Sequence, residues 1–349
     1  MISNIENFIV SEIKGRAGII TLNRPKNLNA LHLPMIQQIY QTLVSWKNNL
    51  AVERVVFDSN SDKAFCAGGD VRAIYDAIKV QDYHLAFQFF YDEYQLNHLI
   101  FSFPKPIISL IDGIIMGGGA GLAMNGTYRV VTERTIFAMP ETAIGFFPDV
   151  GAGYFLNRCP GKIGLYLALS GNKISAGDCL YSKLATHGVL KSRLDNLKDQ
   201  LINDQSNLQD ILKKHHVVLG QSDLAIHQSA IDRYFSQPTI EKCVQALQTD
   251  VEEWPQKVLE TLSKRSPTSL KVTFSYMQKM IEANFKQVMQ QTLVLSQFFV
   301  KTYDFQEGVR AVLVDKDQQP KWQPDTLASI NSKLVEQALH FSIRQKLPI

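Results

Sequence analysis

The chain lacks the marks of several large protein classes. Its 349 residues include only four cysteines, Cys66, Cys159, Cys179 and Cys243, and no two form a CxxC pair. Cysteines so few and so far apart read as reduced thiols in an intracellular protein, not as a disulfide framework. The formal net charge is +3, with 36 lysines and arginines against 33 acids. That balance gives no case for a nucleic-acid partner or a membrane surface. The longest uncharged run of apolar residues and glycine, Gly113 to Met124, is too short to span a bilayer. The opening Met1-Ile2-Ser3-Asn4-Ile5-Glu6-Asn7 has neither the basic-then-apolar order of a signal peptide nor the arginines of a transit peptide. A cytoplasmic protein is expected.

Catalytic and nucleotide signatures are missing as well. Gly161-Lys162 is followed by Ile163, so GxxxxGK[ST] fails, and Gly151-Ala152-Gly153 runs into Tyr154-Phe155-Leu156, so GxGxxG fails. No GxSxG offers a serine elbow. His215 and His216 are adjacent and face different sides of a helix; His32, His84, His98, His187, His227 and His340 are scattered. No metal set is expected.

What is present is enough apolar sequence, 45%, for a large core plus a second unit. Phe8 to Ile13 and Ile19 to Leu22 flank a glycine turn and predict a hairpin. A helix follows from Pro34 to about Asn48, then a strand at Val55-Val56-Phe57. A small-residue loop, Ala67-Gly68-Gly69-Asp70, leads into a helix over 71–78. An amphipathic helix over 83–101 ends at Pro104 and Pro106. The buried strand Ile107 to Ile111 precedes a second glycine loop, Gly117-Gly118-Gly119, and another helix. Strands follow at 128–132 and 135–138, then helices at 151–157, 161–170 and 176–182. The repeated unit of strand, glycine loop and helix predicts an α/β fold with crossover connections. From residue 191 the strand signal fades, and a mainly helical unit is expected over 191–349, with long helices at 271–303 and 330–344.

Two glycine loops and one acidic stretch point to chemistry. Each glycine loop ends at a helix N-terminus and can offer a main-chain N–H; two such donors on one carbonyl oxygen make an oxyanion hole. Tight packing of helix on strand is the plainer account of each loop. Cys66, beside one of them, reads as a small packing residue. The acidic stretch, Ala138 to Gly151, holds Glu141 and Asp149 in an otherwise apolar run. Carboxylates avoid such surroundings unless paired, hydrogen-bonded or useful. In an unbroken helix they would stand ~12 Å apart. Gly145 and Pro148 argue for a bend that points both acids into one cavity; a helix cap and a turn are the alternative. Glu93, in Tyr91-Asp92-Glu93-Tyr94-Gln95, reads by itself as part of a solvated helix face.

Together these residues resemble the crotonase (enoyl-CoA hydratase/isomerase) superfamily. The likeness runs through Asn23-Arg24-Pro25-Lys26-Asn27-Leu28-Asn29-Ala30-Leu31, Phe65-Cys66-Ala67-Gly68-Gly69-Asp70 and Met116-Gly117-Gly118-Gly119. Pro140 to Gly151, the late stretch Asp304 to Ala311, Asp315-Lys316-Asp317 and Pro320-Lys321-Trp322 resemble its 3-hydroxyisobutyryl-CoA hydrolase subfamily. The resemblance implies a spiral of strand–helix units over 1–190 with a helical C-terminal region over 191–349 that often builds oligomers. It implies a short 3-hydroxyacyl-CoA thioester as substrate, hydrolysed in valine catabolism, with no cofactor beyond the CoA of the substrate. Oxyanion donors would be Gly69 and Gly118. Substrate and catalytic positions would be Glu93, Gly118, Glu141 and Asp149, with Glu93 on the acyl hydroxyl and Glu141 as base or nucleophile. Arg24, Lys26 and Lys316 would be candidates for the CoA phosphates.

One position departs from the wider superfamily: where hydratases carry a second glutamate after the GGG loop, this chain has Gly121. Water addition loses an acid/base group, so hydrolysis fits better. The alternatives are an enoyl-CoA hydratase or isomerase, and a binding protein on the same fold, an RNA binder included.

Overall fold

The computed structural model describes residues 7–343 and 345–349. Residues 1–6, most of the opening stretch that bears on a leader, and the last residue of the helix expected over 330–344 lie outside them. The chain divides into two compact units, each assembled from three stretches: Met1–Gly69, Leu96–Phe137 and Ile174–Ser222 in the first; Asp70–Gln95, Ala138–Lys173 and Asp223–Ile349 in the second. The division expected after residue 190 therefore falls inside the first unit.

Among the described residues ten short strands are found, all in the first unit except the last residue of β8: β1 (Ile9–Lys14), β2 (Ala17–Leu22), β3 (Arg54–Ser59), β4 (Ala64–Cys66), β5 (Ile107–Ile111), β6 (Ile114–Met116), β7 (Tyr128–Val131), β8 (Ile136–Ala138), β9 (Ile174–Ser175) and β10 (His187–Gly188). They form a six-stranded sheet, β1-β2-β3-β5-β7-β10, and a four-stranded sheet, β4-β6-β8-β9. The expected hairpin is the antiparallel pair β1–β2, with Ile9 opposite Leu22. From β2 onward the larger sheet is parallel. Parallel strands need crossovers and bury both faces, which is why β5 is buried at every position.

One face of that sheet is covered by helices from the stretch that carried no strand signal. Leu194, Leu197 and Leu201 make one stripe of the helix Lys191–Asn203, and Ile211 and Leu212 come from the helix Leu208–His215. They share a core with Ala17, Ile19, Val56, Ile108, Leu110 and Val130. The polar look of 191–214 reflects an outer face; its leucines at i, i+3 and i+7 are enough to seal a sheet.

The second unit is helical. The pattern over 271–303 resolves into two helices, Pro267–Lys279 and Phe285–Phe299. The break is local chemistry: Asn284 accepts from the Gln287 N–H and the Gln287 side chain accepts from the Asn284 N–H, a reciprocal cap that starts a new helix. The expected C-terminal helix spans Ser332–Leu339. Among the described residues no helix is long and apolar enough to cross a membrane.

Candidate active site

In the first unit the two glycine loops run side by side. Gly68, at φ +115°, sits over the second loop, so a Cβ there would lie 3.5 Å from the Met116 carbonyl oxygen and 3.9 Å from the Gly118 nitrogen. Asn29 braces the arrangement. Its side chain accepts from the Arg24 N–H at 2.8 Å and donates to Ser59 Oγ at 2.8 Å and the Phe65 carbonyl at 3.0 Å. Leu31 N–H then donates to the Gly68 carbonyl, and Leu31 and Gly69 form an isolated parallel bridge. Among the described residues neither the Gly69 nor the Gly118 N–H has an intramolecular acceptor. Gly118 is buried and Gly69 half-buried, and amides left without an acceptor are what an oxyanion site requires.

Cys66 is buried beside this loop, its thiol 3.1 Å from the Asn29 carbonyl, and packs rather than reacts. Of the cations considered for CoA phosphates, Arg24 donates to the Ala30 carbonyl at 2.9 Å and so serves the loop itself. Lys26 and Lys316 are exposed.

The acids lie in the second unit. Glu141 opens a short 3-10 helix, Glu141–Ile144, and Gly145 ends it in the left-handed region at φ +68°. Val150 and Gly151 also take positive φ, so the segment bends twice around Asp149 before the helix Ala152–Phe155. An unbroken helix is thereby excluded, as Gly145 and Pro148 suggested. Glu93 comes from the helix Tyr83–Phe101. Exposure is 2% for Glu93, 6% for Glu141 and 5% for Asp149. Glu93 is therefore not on a solvated face, and that expectation is corrected. Its neighbours at i−4, i−3 and i+3, Phe89, Phe90 and Leu96, are all buried, a stripe visible in the sequence once that face is counted.

The three carboxyls are close enough to feel one another. Burial, then Asp149 and Glu141, push Glu93 well above the usual carboxylate range. Burial and Asp149 do the same to Glu141. Burial pushes Asp149 up to about 7 against the opposing hydrogen bond from Tyr94. Among the described residues no cation is paired with any of the three, and Glu93 Oε1 and Glu141 Oε2 have no hydrogen-bond partner. Such groups resist ionisation until something arrives to bond them.

Aromatic packing keeps the surroundings apolar. Phe146 stacks on Phe90 with ring centroids 5.3 Å apart and meets Phe305 at 5.2 Å; Phe147 stacks on Phe299 at 5.4 Å and meets Tyr276 edge-on at 5.5 Å. Each pair is worth about 0.5–1.5 kcal/mol beyond its buried area. The two phenylalanines between the acids are thus anchors for the bend.

The late motif is a buttress for the same segment. A Cβ on Gly145 would stand 2.1 Å from the Asp304 carbonyl oxygen, and one on Gly308 would stand 2.3 Å from the Ile144 carbonyl carbon. Only glycine permits this approach. Asp304 is fixed in turn by the Ser266 hydroxyl at 2.5 Å and the Gln323 N–H at 2.8 Å. Glu307 takes Arg310 in a two-point pair at 2.8 Å and accepts from the Lys321 N–H; Arg310 also reaches Asp315 and Asp317. Sequence reasoning missed Tyr94, whose hydroxyl donates to Asp149 Oδ2 at 2.7 Å from a fully buried ring.

Glycine-loop amides without acceptors and a set of dry, mutually coupled carboxyls are parts suited to acyl chemistry on a polarised carbonyl. The family model for enoyl-CoA hydratase/isomerase matches residues 17–339, and the chain belongs to that family. More particularly, it is similar to the 3-hydroxyisobutyryl-CoA hydrolase, mitochondrial, of Danio rerio, at 43% identity over 96% of this chain and 90% of that protein. The Xenopus laevis protein of the same name is 45% identical over 92% of this chain and 86% of its own length. Among solved structures, a carnitinyl-CoA dehydratase from Mycobacterium thermoresistibile superposes with a TM-score of 0.92 at 35% identity, covering 97% of this chain and 98% of that one. An enoyl-CoA hydratase from Rhodobacter sphaeroides 2.4.1 does so at 0.92 and 32%, covering 98% and 100%. The fold is therefore crotonase-like, with a helical C-terminal region.

Proposed function

We propose that the protein hydrolyses a short 3-hydroxyacyl-CoA thioester, 3-hydroxyisobutyryl-CoA foremost, to the free hydroxy acid and CoA. The observation that carries this is the pair Glu141 and Asp149, two buried and coupled acids on one bent segment, in a chain whose Gly121 supplies no third acid/base group at the hydratase position. Its similarity to proteins named 3-hydroxyisobutyryl-CoA hydrolase supports the same choice.

The chemistry divides simply. The Gly69 and Gly118 N–H groups hold the thioester oxygen as it gains negative charge, each donor contributing about 3 kcal/mol at the transition state. In one route a carboxylate takes a proton from water, the water oxygen bonds to the carbonyl carbon, the C–S bond breaks and sulfur collects a proton from the other acid. In the other, a carboxylate oxygen attacks the carbon itself, thiolate leaves, and water then opens the mixed anhydride. Glu93, with an unpartnered oxygen, is the group for the acyl hydroxyl. A site built on that hydroxyl rejects analogues without it, because Glu93 would stay unpaired.

The test is a panel of acyl-CoA thioesters assayed by thiol release, with loss of enoyl absorbance followed in parallel. Thiol release from 3-hydroxyisobutyryl-CoA, falling about 10²–10⁴-fold in Glu141→Gln, is the expected result. Hydration of an enoyl-CoA without thiol release would replace this proposal with a hydratase.

A further inference from the structure

A main-chain donor serves an oxyanion only if its N–H is held in one direction. In a trans peptide the carbonyl and the following N–H share a plane and point opposite ways. Among the described residues the only cis bond is Gln323–Pro324, so the Gly68–Gly69 bond is trans. Whatever grips the Gly68 carbonyl therefore sets where the Gly69 N–H points. That grip is the Leu31 N–H, which donates to the Gly68 oxygen at 2.8 Å. Gly68, at φ +115° and without a Cβ, offers little resistance of its own to a turn of this plane.

Leu31 is held in turn by the residues before it. The segment 28–31 runs along 64–68 with a contact at each position. The Asn29 side chain donates to the Phe65 carbonyl at 3.0 Å, with a longer contact to the Ala64 carbonyl at 3.5 Å. The Cys66 thiol donates to the Asn29 carbonyl at 3.1 Å, and the Ala67 N–H donates to the Leu28 carbonyl at 3.0 Å. Leu28 and Asn29 both take positive φ, 51° and 56°. Two such residues in a row persist only where their surroundings hold them. The fully buried Asn29 carboxamide supplies that hold. Its oxygen accepts from the Arg24 N–H at 2.8 Å, and its nitrogen also donates to Ser59 Oγ at 2.8 Å. The Ser59 hydroxyl passes the tie on to the Ala64 carbonyl at 2.6 Å.

Resting on the hydrolase proposal above for its catalytic consequence, we infer that Asn29 is a positioning residue for the oxyanion site. Its carboxamide fixes the segment 28–31, Leu31 fixes the Gly68 carbonyl, and the peptide plane turns the Gly69 N–H toward the thioester oxygen. The Gly118 N–H belongs to the other loop, at the start of the helix Gly118–Met124, and is reached by none of these bonds. Loss of the Asn29 side chain therefore removes one oxyanion donor of two.

The decisive variant is Asn29→Gly, which keeps the left-handed backbone accessible and deletes only the carboxamide. Its kcat should fall about 10²-fold with KM little changed, the pattern of an interaction made in the transition state. Infrared spectroscopy of 3-hydroxyisobutyryl-CoA labelled with ¹³C at the thioester carbonyl, bound to slow Glu141→Gln protein, reads the donors directly. Binding should lower the carbonyl stretch from its value in water, and adding Asn29→Gly should return it part of the way. Leu197→Ala, which loosens the same unit elsewhere, should leave the band in place. If Asn29→Gly does not fold, Ser59→Ala takes its place, with a smaller shift in the same direction. A band unmoved in the folded variant, or moved as far by Leu197→Ala, overturns the inference. If wild-type protein releases no thiol from any thioester, the proposed function fails, and a crystal structure of Asn29→Gly still decides the role of Asn29. A Gly68 carbonyl turned away from the Leu31 N–H supports it; one still bonded there at the same distance overturns it.

Discussion

Replacing Asp149 by asparagine should make the protein more stable in alkali while disabling it. In the folded chain burial raises the Asp149 carboxyl from its ordinary 3.8 up to about 7. In the unfolded chain it returns to the ordinary value. Between those two points the folded state holds a proton that the unfolded state has released. Stability therefore falls as pH rises through that window, is unaffected by this group below it, and reaches a lower plateau above it. Each pH unit inside the window costs about 1.4 kcal/mol, so the loss comes to about 4 kcal/mol by pH 8. Asparagine offers the Tyr94 hydroxyl an acceptor of the same shape and has no charge to bury. Its extra N–H donors cost about 1–3 kcal/mol if unmet, but equally at every pH. The signature is thus the slope. Urea denaturation followed by circular dichroism at half-unit steps from about pH 3.5 to 8.5 should show the variant gaining on the wild type between about 4 and 7 and holding its gain above. A difference that stays flat across that range, or shrinks, would refute the claim that a dry site lifts the Asp149 carboxyl.

Other outcomes follow from the packing. Gly145→Ala forces a Cβ against the Asp304 carbonyl at a positive φ, and should cost about 2–5 kcal/mol, read as a lower urea midpoint. It should also lower turnover, since the bend that presents Glu141 must shift. Leu197→Ala removes a fully buried side chain from the core between the parallel sheet and the helix Lys191–Asn203, and should cost about 2.7–5 kcal/mol in the same assay. Turnover per folded molecule of that variant should remain near wild type.

The parts legible in the sequence were those that local chemistry decides. The β1–β2 hairpin was readable because apolar runs flank Gly15 and Gly18, and the two glycine loops because small residues interrupt strand and helix patterns. The bend at Gly145 and Pro148 was readable for the same reason. The chemistry of Glu93 was not, because it depends on acids about 50 residues away in the chain. Tyr94 was hidden in the same helix: a tyrosine in a buried stripe carries no mark of where its hydroxyl points. The leucines of 191–203 looked like a separate helical region because their partner is a sheet whose strands, β10 apart, come from residues 9–131. Asp304 to Trp322 matched a motif by resemblance alone, and only the glycine contacts show that it clamps the Glu141 segment. Gln287, at the break between two helices where one was expected, illustrates how a single side-chain cap overrides a continuous apolar period.

The interleaving of the two units has a consequence for how the molecule is made. Each unit draws on the beginning, middle and later part of the chain, so no single cut releases either one whole. During synthesis the ribosome emits Glu93, Glu141 and Asp149 long before Phe299 and Phe305, the rings that seal the phenylalanines beside them. Phe299 and Phe305 must therefore be made before the aromatic walls beside Glu141 and Asp149 can close.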